Sequence, residues 1–232
     1  MNEYKSSNAA GRSRRSHFSG SVTILFLFLA IAATAHAQVR FEDVTNGSGV
    51  GYTGESWGAS WGYANDDALP DLFVSHHRNQ PGLYINRGDG TFANRAAAID
   101  AWQITPRSDT HGGTFADYDN DGDADLVVTA GSKNYTQFLV NTGEVLTDRI
   151  QDFTFDQRFY GGRFPFWFDF SNDGLLDLAL GVQNGPVQLH EQVNGDFERR
   201  NFVSGQQCYD HDYMQLSDWT FDGRLDWLCV SP

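Results

Sequence analysis

Short apolar runs recur along the chain, each directly after an acidic turn. These runs are Leu72–Val74, Leu126–Val128, Leu178–Leu180 and Trp227–Cys229. Apolar and polar residues do not alternate within them, which predicts short β-strands that are covered on both faces. No sustained helical period follows residue 37. The pattern therefore predicts an all-β chain.

Turn signals divide the remaining sequence into further strands. The Asp-Gly pair at 89–90 and the Asn-Gly pair at 194–195 predict hairpin turns. One strand is predicted before each acidic turn. The strands predicted after the turns are 71–77, 82–86, 91–95, 125–130, 137–141, 153–155, 177–182, 186–191, 197–202 and 226–230. Each complete repeat therefore contains four strands.

The acidic turns recur at a nearly constant interval. Their last aspartates, Asp71, Asp125, Asp177 and Asp226, are spaced by 54, 52 and 49 residues. An apolar residue stands two positions before each turn: Trp61, Phe115, Trp167 and Leu216. A period near 50 residues indicates a repeat architecture. Small sheets stacked between similar sheets, as in the blades of a β-propeller, would cover both faces of the apolar runs.

The second turn carries the clearest chemical signal. With Asp117 as position 1, aspartates occupy positions 1, 3, 5, 7 and 9, and Gly122 occupies position 6. Ca²⁺ takes about six to eight oxygen ligands, and a glycine at position 6 permits a sharp turn. An EF-hand would need a glutamate at position 12, where Val128 stands within a predicted strand. The sequence therefore predicts a calcium-binding turn that is not an EF-hand.

The other turns repeat this donor pattern with substitutions. Position 7 is predicted to contribute its backbone carbonyl. The predicted calcium ligands are Asn65, Asp67 and Asp71 in the first turn; Asp117, Asp119, Asp121, Asp123 and Asp125 in the second; Asp169, Ser171, Asp173, Leu175 and Asp177 in the third; and Asp218, Thr220, Asp222, Arg224 and Asp226 in the fourth.

The first turn departs most from the pattern. Tyr63 occupies position 1 and cannot replace a carboxylate, and Ala68 stands where glycine belongs and resists a left-handed backbone. For all four turns the alternative is that the aspartates only cap the turn by accepting nearby N–H groups.

Three stretches resemble a known repeat family. Residues 113–126, Gly-Thr-Phe-Ala-Asp-Tyr-Asp-Asn-Asp-Gly-Asp-Ala-Asp-Leu, resemble the FG-GAP/VCBS repeat of integrin-α-like propellers. Residues 83–92 resemble the hairpin that follows the turn in that family. Residues 41–45 resemble the start of the ASPIC/UnbV branch, which includes cartilage acidic protein. The resemblance implies an exported, calcium-binding β-propeller made of four-stranded antiparallel blades.

Residues 38–232 are predicted to form one propeller domain of about four blades. Only 226–230 follows the last turn, and Phe41–Thr45 could supply one missing strand but not two. A four-bladed ring is the alternative; we interpret the chain as the N-terminal part of a longer ring, of seven blades, that is incomplete at its C-terminus.

Residues 1–37 are predicted to be a signal peptide. Arg12, Arg14 and Arg15 precede an apolar run at 22–33, and Ala35-His36-Ala37 forms a small-residue cleavage site. An uncleaved anchor is the alternative, and the arginine pair leaves twin-arginine export open beside general secretion. The predicted location is secreted, periplasmic or on the cell surface, with no stable membrane span after cleavage.

The charge narrows the range of partners. The chain has 30 acidic and 16 basic residues, for a formal net charge of −14. Such a surface excludes nucleic acid as the expected partner. Many of the aspartates are concentrated in the four turns, where a cation would neutralise them.

Cysteine and histidine residues give weaker signals. A disulfide between Cys208 and Cys229 is permitted in an exported chain, whereas the apolar run around Cys229 suggests a buried thiol. Four histidines lie near the turns: His76, His77, His111 and His211. We interpret them as ordinary polar residues rather than as a transition-metal or catalytic set.

The tryptophans divide into two predicted classes. Trp61, Trp167 and Trp227 fall in the apolar columns and are expected in the core. The other three, Trp57, Trp102 and Trp219, are candidate platforms for sugar stacking.

The sequence contains no recognisable catalytic motif. The favoured interpretation is a calcium-stabilised module that binds a protein or a surface glycan. The alternative is part of a secreted carbohydrate-active enzyme, a lyase or hydrolase, with catalytic residues in the inserts 99–112 and 203–213 or in missing blades. A third interpretation is the scaffold portion of a larger adhesin.

Overall fold

A computed structural model describes residues 39–96, 109–131, 136–143, 146–155, 161–183, 185–200 and 213–230. All strands of the described residues lie in the unit Val44–Pro232. In the unit Met1–Asp43 the described residues, 39–43, contain no strand or helix. The predicted signal peptide, Cys208, His211 and Trp102 lie outside the described residues, and the Cys229 and Trp227 side chains are not described.

The described part of the chain is all-β. Its complete helical segments are one turn at Thr45–Ser48 and a 3-10 turn at Ile150–Asp152. The strands are β1 (Ser56–Gly62), β2 (Asp71–His76), β3 (Gly82–Asn86), β4 (Phe92–Asn94), β5 (Thr110–Ala116), β6 (Asp125–Ala130), β7 (Gln137–Asn141), β8 (Leu146–Asp148), β9 (Gly162–Phe168), β10 (Asp177–Val182), β11 (Gln188–Val193), β12 (Asp196–Arg200), β13 (Tyr213–Ser217) and β14 (Asp226–Val230).

These strands form three four-stranded antiparallel sheets and one two-stranded sheet. Each larger sheet is a simple meander, β1 to β4, β5 to β8 and β9 to β12, and β13 pairs with β14. The turn between the first two strands of every sheet is one of the four acidic turns. The prediction of four-stranded blades is confirmed for three repeats.

The second strand of the middle four-stranded sheet, β6, packs against both neighbouring sheets. Leu126 and Val128 of β6 join a cluster with Phe73 and Leu83 of the first sheet. Val127, between them, joins a second cluster in which Leu178, Leu180 and Phe197 of the third sheet take part. Because adjacent residues of a strand point to opposite faces, an unbroken apolar run is required when both faces are covered.

A third cluster extends this arrangement towards the last sheet. Ala179 of β10 and Phe168 of β9 are buried in it, and Leu216 of β13 packs against them. Ala179 lies between Leu178 and Leu180, which face the second sheet. Strand β10 of the third sheet therefore repeats the alternation seen in β6.

The first strands of neighbouring sheets approach each other closely. Strand β5 contacts both β1 and β9. A Cβ atom on Gly112 of β5 would lie 2.8 Å from the Arg163 carbonyl oxygen of β9, and one on Gly58 would lie 2.8 Å from the His111 carbonyl oxygen. A side chain at either position would collide with the backbone of the neighbouring strand. Glycine is therefore required where these strands converge.

Three local predictions were wrong. The fourth strand of the second sheet is Leu146–Asp148, whereas Phe153 and Phe155 pack into the second apolar cluster without pairing as a strand. Residues 41–45 form no strand, and a helical turn begins at Thr45. Trp61 is 59% exposed. The residues in its position in the next sheets, Phe115 and Trp167, pack into clusters shared with the preceding sheet, and no described sheet precedes β1.

Candidate functional site

The four acidic turns occupy equivalent places in successive sheets. The aspartate at position 9 of each turn is the first residue of the following strand: Asp71, Asp125, Asp177 and Asp226 begin β2, β6, β10 and β14. The structural repeat therefore follows the sequence repeat through all four sheets.

The position-1 aspartate shapes the turn. Asp117 accepts the N–H groups of Asp121 and Gly122, one on each carboxylate oxygen, both at 3.0 Å. Asp169 accepts the corresponding N–H groups of the third turn at 3.1 and 2.9 Å. Asp218 does so in the fourth turn at 3.1 and 3.0 Å. Tyr63 offers no carboxylate for this purpose in the first turn.

The position-9 aspartate ties the turn to the third strand of the sheet. One oxygen of Asp177 accepts the Gln192 N–H at 2.8 Å, and the other accepts the N–H groups of Phe170 and Ser171 at 2.9 and 3.1 Å. Asp125 makes the same link to the Asn141 N–H at 2.8 Å. Asp71 repeats it with the N–H of Asn86 at 2.8 Å. The donors are backbone groups, so no side-chain pattern in the sequence indicates them.

Two positions in the turns have a left-handed backbone. Position 6 has a φ of +100° at Gly122, and the glycines of the third and fourth turns are similar. Position 4 is also left-handed, with a φ of +60° at Asn120 and +57° at Phe221. Asp66 and Ala68 of the first turn have no positive φ. The first turn therefore has a different conformation, as Ala68 led us to expect.

Carboxylates converge in the second turn. Asp117, Asp119 and Asp125 each place one oxygen within 4.8 Å of the others. In the third and fourth turns a hydroxyl residue, Ser171 or Thr220, stands at the position of Asp119. A group of oxygen donors at this spacing suits a hard cation such as Ca²⁺.

The first turn uses two of its predicted ligands differently. The Asn65 side-chain amide donates to Asp67 at 3.0 Å, and the Asn65 side-chain oxygen accepts the Asp67 N–H at 3.1 Å. These contacts close the turn within itself.

Burial raises the cost of negative charge in the second turn. It raises the pKa of Asp125 to about 7, against the lowering effect of the N–H groups of Asn141 and Tyr118, and the carboxylates of Asp119 and Asp121 raise it further. Burial also raises the pKa of Asp119 and Asp177. Ionised carboxylates in such positions gain most from a bound cation.

A second group of polar side chains lies at the other end of the first strands. Trp57, His111 and Arg163 each stand six residues before an acidic turn, on β1, β5 and β9. Together with Phe164 and Phe166 they line an open cleft of about 380 Å³. The Trp57 ring stacks parallel to that of His111, with centroids 5.9 Å apart, and Trp57 is 61% exposed.

The histidines separate into two groups. His77 and His111 lie on either side of Asp109, whose Oδ1 is 2.5 Å from His77 Nδ1 and 3.0 Å from His111 Nε2. His76 stands apart, because its Nδ1 contacts the Gln80 carbonyl at 2.7 Å and its ring stacks on Tyr52. Burial lowers the pKa of His111, and Arg163 lowers it further. The sequence did not indicate this group, since His77 and Asp109 are far apart along the chain.

Comparison with protein-family models identifies part of the repeat region. Residues 64–128 match the family model of the FG-GAP-like repeat. The matched segment runs from the first acidic turn through most of β6, and it agrees with the resemblance read from residues 83–92 and 113–126. A search of curated proteins found no match. In the described residues, no helix is long and apolar enough to cross a membrane.

Proposed function

We propose that this chain is an exported, calcium-stabilised β-propeller module that binds a protein or a surface glycan. The FG-GAP-like repeat over residues 64–128 indicates a β-propeller interaction module. To this we add three proposals: calcium binding, export directed by residues 1–37, and a protein or glycan as the ligand. The ASPIC/UnbV assignment is also a proposal, and it depends on residues 41–45 alone.

The observation that carries the calcium proposal is the convergence of Asp117, Asp119 and Asp125 within 4.8 Å. Carboxylates at this distance repel one another unless a counter-charge is present. A site whose Kd lies tenfold to a hundredfold below the free calcium concentration would add about 1.4 to 2.7 kcal/mol to the free energy of unfolding. Three such sites would rival the whole stability of an ordinary domain, about 5–15 kcal/mol.

Thermal unfolding in calcium and in EDTA tests the proposal. We expect calcium to raise the Tm, and D119N to reduce that increase because it removes one converging carboxylate. The matched control is D152N, which removes an exposed carboxylate paired with Arg149 on the 3-10 turn, away from the acidic turns. Equal Tm values in calcium and EDTA would contradict the proposal, as would equal calcium responses of the two variants.

The cleft beside Trp57 supports the binding role. An exposed indole ring next to an arginine can contact either a sugar ring or a protein side chain. A glycan array followed by analysis of the bound glycans separates binding from cleavage. Binding that W57A abolishes, with the glycan recovered intact, supports a module; new reducing or unsaturated ends would show an enzyme instead.

A further inference from the structure

The cluster His77–Asp109–His111 is separate from the calcium-binding turns. His77 directly follows β2, and Asp109 and His111 flank the first residue of β5. The turn that begins at Asp117 follows the other end of β5. His111 and Asp117 are six residue steps apart along the strand, which corresponds to about 20 Å. The cluster and the converging carboxylates are therefore independent sites.

The three side chains offer converging donor atoms. Asp109 Oδ1 lies 2.5 Å from His77 Nδ1 and 3.0 Å from His111 Nε2, and all three donors lie within 4.8 Å of one another. The side chains are mostly buried, with 17%, 16% and 9% exposure for His77, Asp109 and His111. The site is thus held by the ends of two strands in adjacent sheets.

One donor has no hydrogen bond. His77 Nδ1 is buried and makes no hydrogen bond within the described structure, although Asp109 Oδ1 is close by. A buried ring nitrogen without a hydrogen bond costs free energy unless another partner binds it. A metal ion between His77, Asp109 and His111 would supply that partner.

We propose that His77, Asp109 and His111 bind a divalent transition-metal ion, with zinc as the best fit. Two imidazole nitrogens and one carboxylate oxygen are a borderline-soft donor set, which favours zinc over calcium. Zinc binds such donors at about 2.0–2.2 Å, so the ligand atoms need to separate only slightly from their present spacing. Of the three proposed ligands, His111 also lines the cleft beside Trp57.

The surroundings include one supporting group and one opposing group. Glu55 Oε2 lies 3.7 Å from His77 Nε2, and the second ring nitrogen of a metal-bound histidine commonly donates to a carboxylate. Arg163 Nη1 lies 2.9 Å from His111 Nε2, where its positive charge opposes a cation. Metal binding therefore requires the guanidinium to withdraw, and removal of its charge should strengthen binding.

Calorimetric titration with zinc tests the site. The full chain is stripped of metal and titrated with ZnCl₂ in millimolar calcium, which keeps zinc from the acidic turns. We expect one saturable site. H77Q and D109N should each weaken binding by more than about tenfold, since loss of even an outer partner of a metal ligand costs about 10–100-fold. R163Q should tighten it, and H76Q is the matched control because its ring lies outside the cluster.

Direct localisation keeps the test decisive if a ligand variant does not fold. Crystals of the unaltered chain soaked in zinc should give an anomalous peak between the three side chains at the zinc absorption edge. Absence of saturable zinc binding in calcium would overturn the proposal. A peak confined to the acidic turns, or zinc affinity equal in H77Q, D109N and H76Q, would overturn it as well.

Discussion

The position-9 aspartate gives a prediction that separates the backbone role of the turns from their proposed metal role. Asp177 is fully buried and accepts three N–H groups, from Phe170, Ser171 and Gln192. In D177N the side-chain oxygen can accept from only one side. If it stays with Phe170 and Ser171, the new amide nitrogen faces the N–H of Gln192, and two donors oppose each other.

The magnitude follows from two competing effects. A buried N–H without an acceptor costs about 1–3 kcal/mol. Against this, asparagine removes a buried charge whose burial cost is shown by the raised pKa of Asp177. We expect a net loss of about 2 kcal/mol, which corresponds to a fall in Tm of about 4–8 °C for a domain of this size.

The assay is thermal unfolding in EDTA, with D169N as the matched control. Asp169 is a predicted calcium ligand in the same turn and also accepts two N–H groups, but those bonds are exposed and water can replace them. D169N should therefore lower the Tm by less than about 2 °C. In calcium, D177N and D169N should both be less stable than the parent chain. A D177N chain as stable as the parent in EDTA would refute the reasoning, because the turn would then depend on aspartate only as a metal ligand.

Three further predictions concern single positions. Phe221 is 89% exposed with a φ of +57°. Because asparagine tolerates this backbone better, F221N should raise the free energy of unfolding by about 0.5–1 kcal/mol, measured as a higher urea midpoint with the same m-value. An unchanged or lower midpoint contradicts this prediction. G112A should destabilise by about 1–3 kcal/mol because the new Cβ would lie 2.8 Å from the Arg163 carbonyl oxygen, whereas G51A, whose Cβ meets only a methyl group at 3.9 Å, should change urea stability little. Burial lowers the pKa of His190 to about 4. The contribution of the neutral His190 ring to the free energy of unfolding is therefore complete above about pH 6.5, and it is lost as the pH falls from about 6.5 to 4. The stability difference between the parent and H190Q, measured by urea unfolding across this range, should shrink by up to about 3 kcal/mol, and a constant difference would show that His190 does not cause it.

The repeat and the strands could be predicted from the sequence because each repeat obeys the same local physics. The run Leu126–Val128 has no polar residue, and its two faces are indeed covered by different sheets. The left-handed backbone at Gly122 follows from the absence of a Cβ atom. These features are local and are encoded by residue type.

The remaining features depend on contacts between distant residues. The bond from the Gln192 N–H to Asp177 uses a backbone donor, which any residue type would supply. Asp109 meets His77 only because β2 and β5 belong to adjacent sheets. Phe153 and Phe155 have strand-like composition, yet their aromatic packing and not strand pairing determines their place. Residue type alone does not carry this information.

The placement of Val127 between Leu126 and Val128 has a consequence for the mechanics of the molecule. Each apolar cluster joins two successive sheets, the first with the second, the second with the third and the third with the fourth, so the described sheets are coupled in series. Stability in such an array is a sum of nearest-neighbour terms. Damage to one hairpin is therefore transmitted mainly to the two that flank it, and the chain can open in stages, one junction at a time.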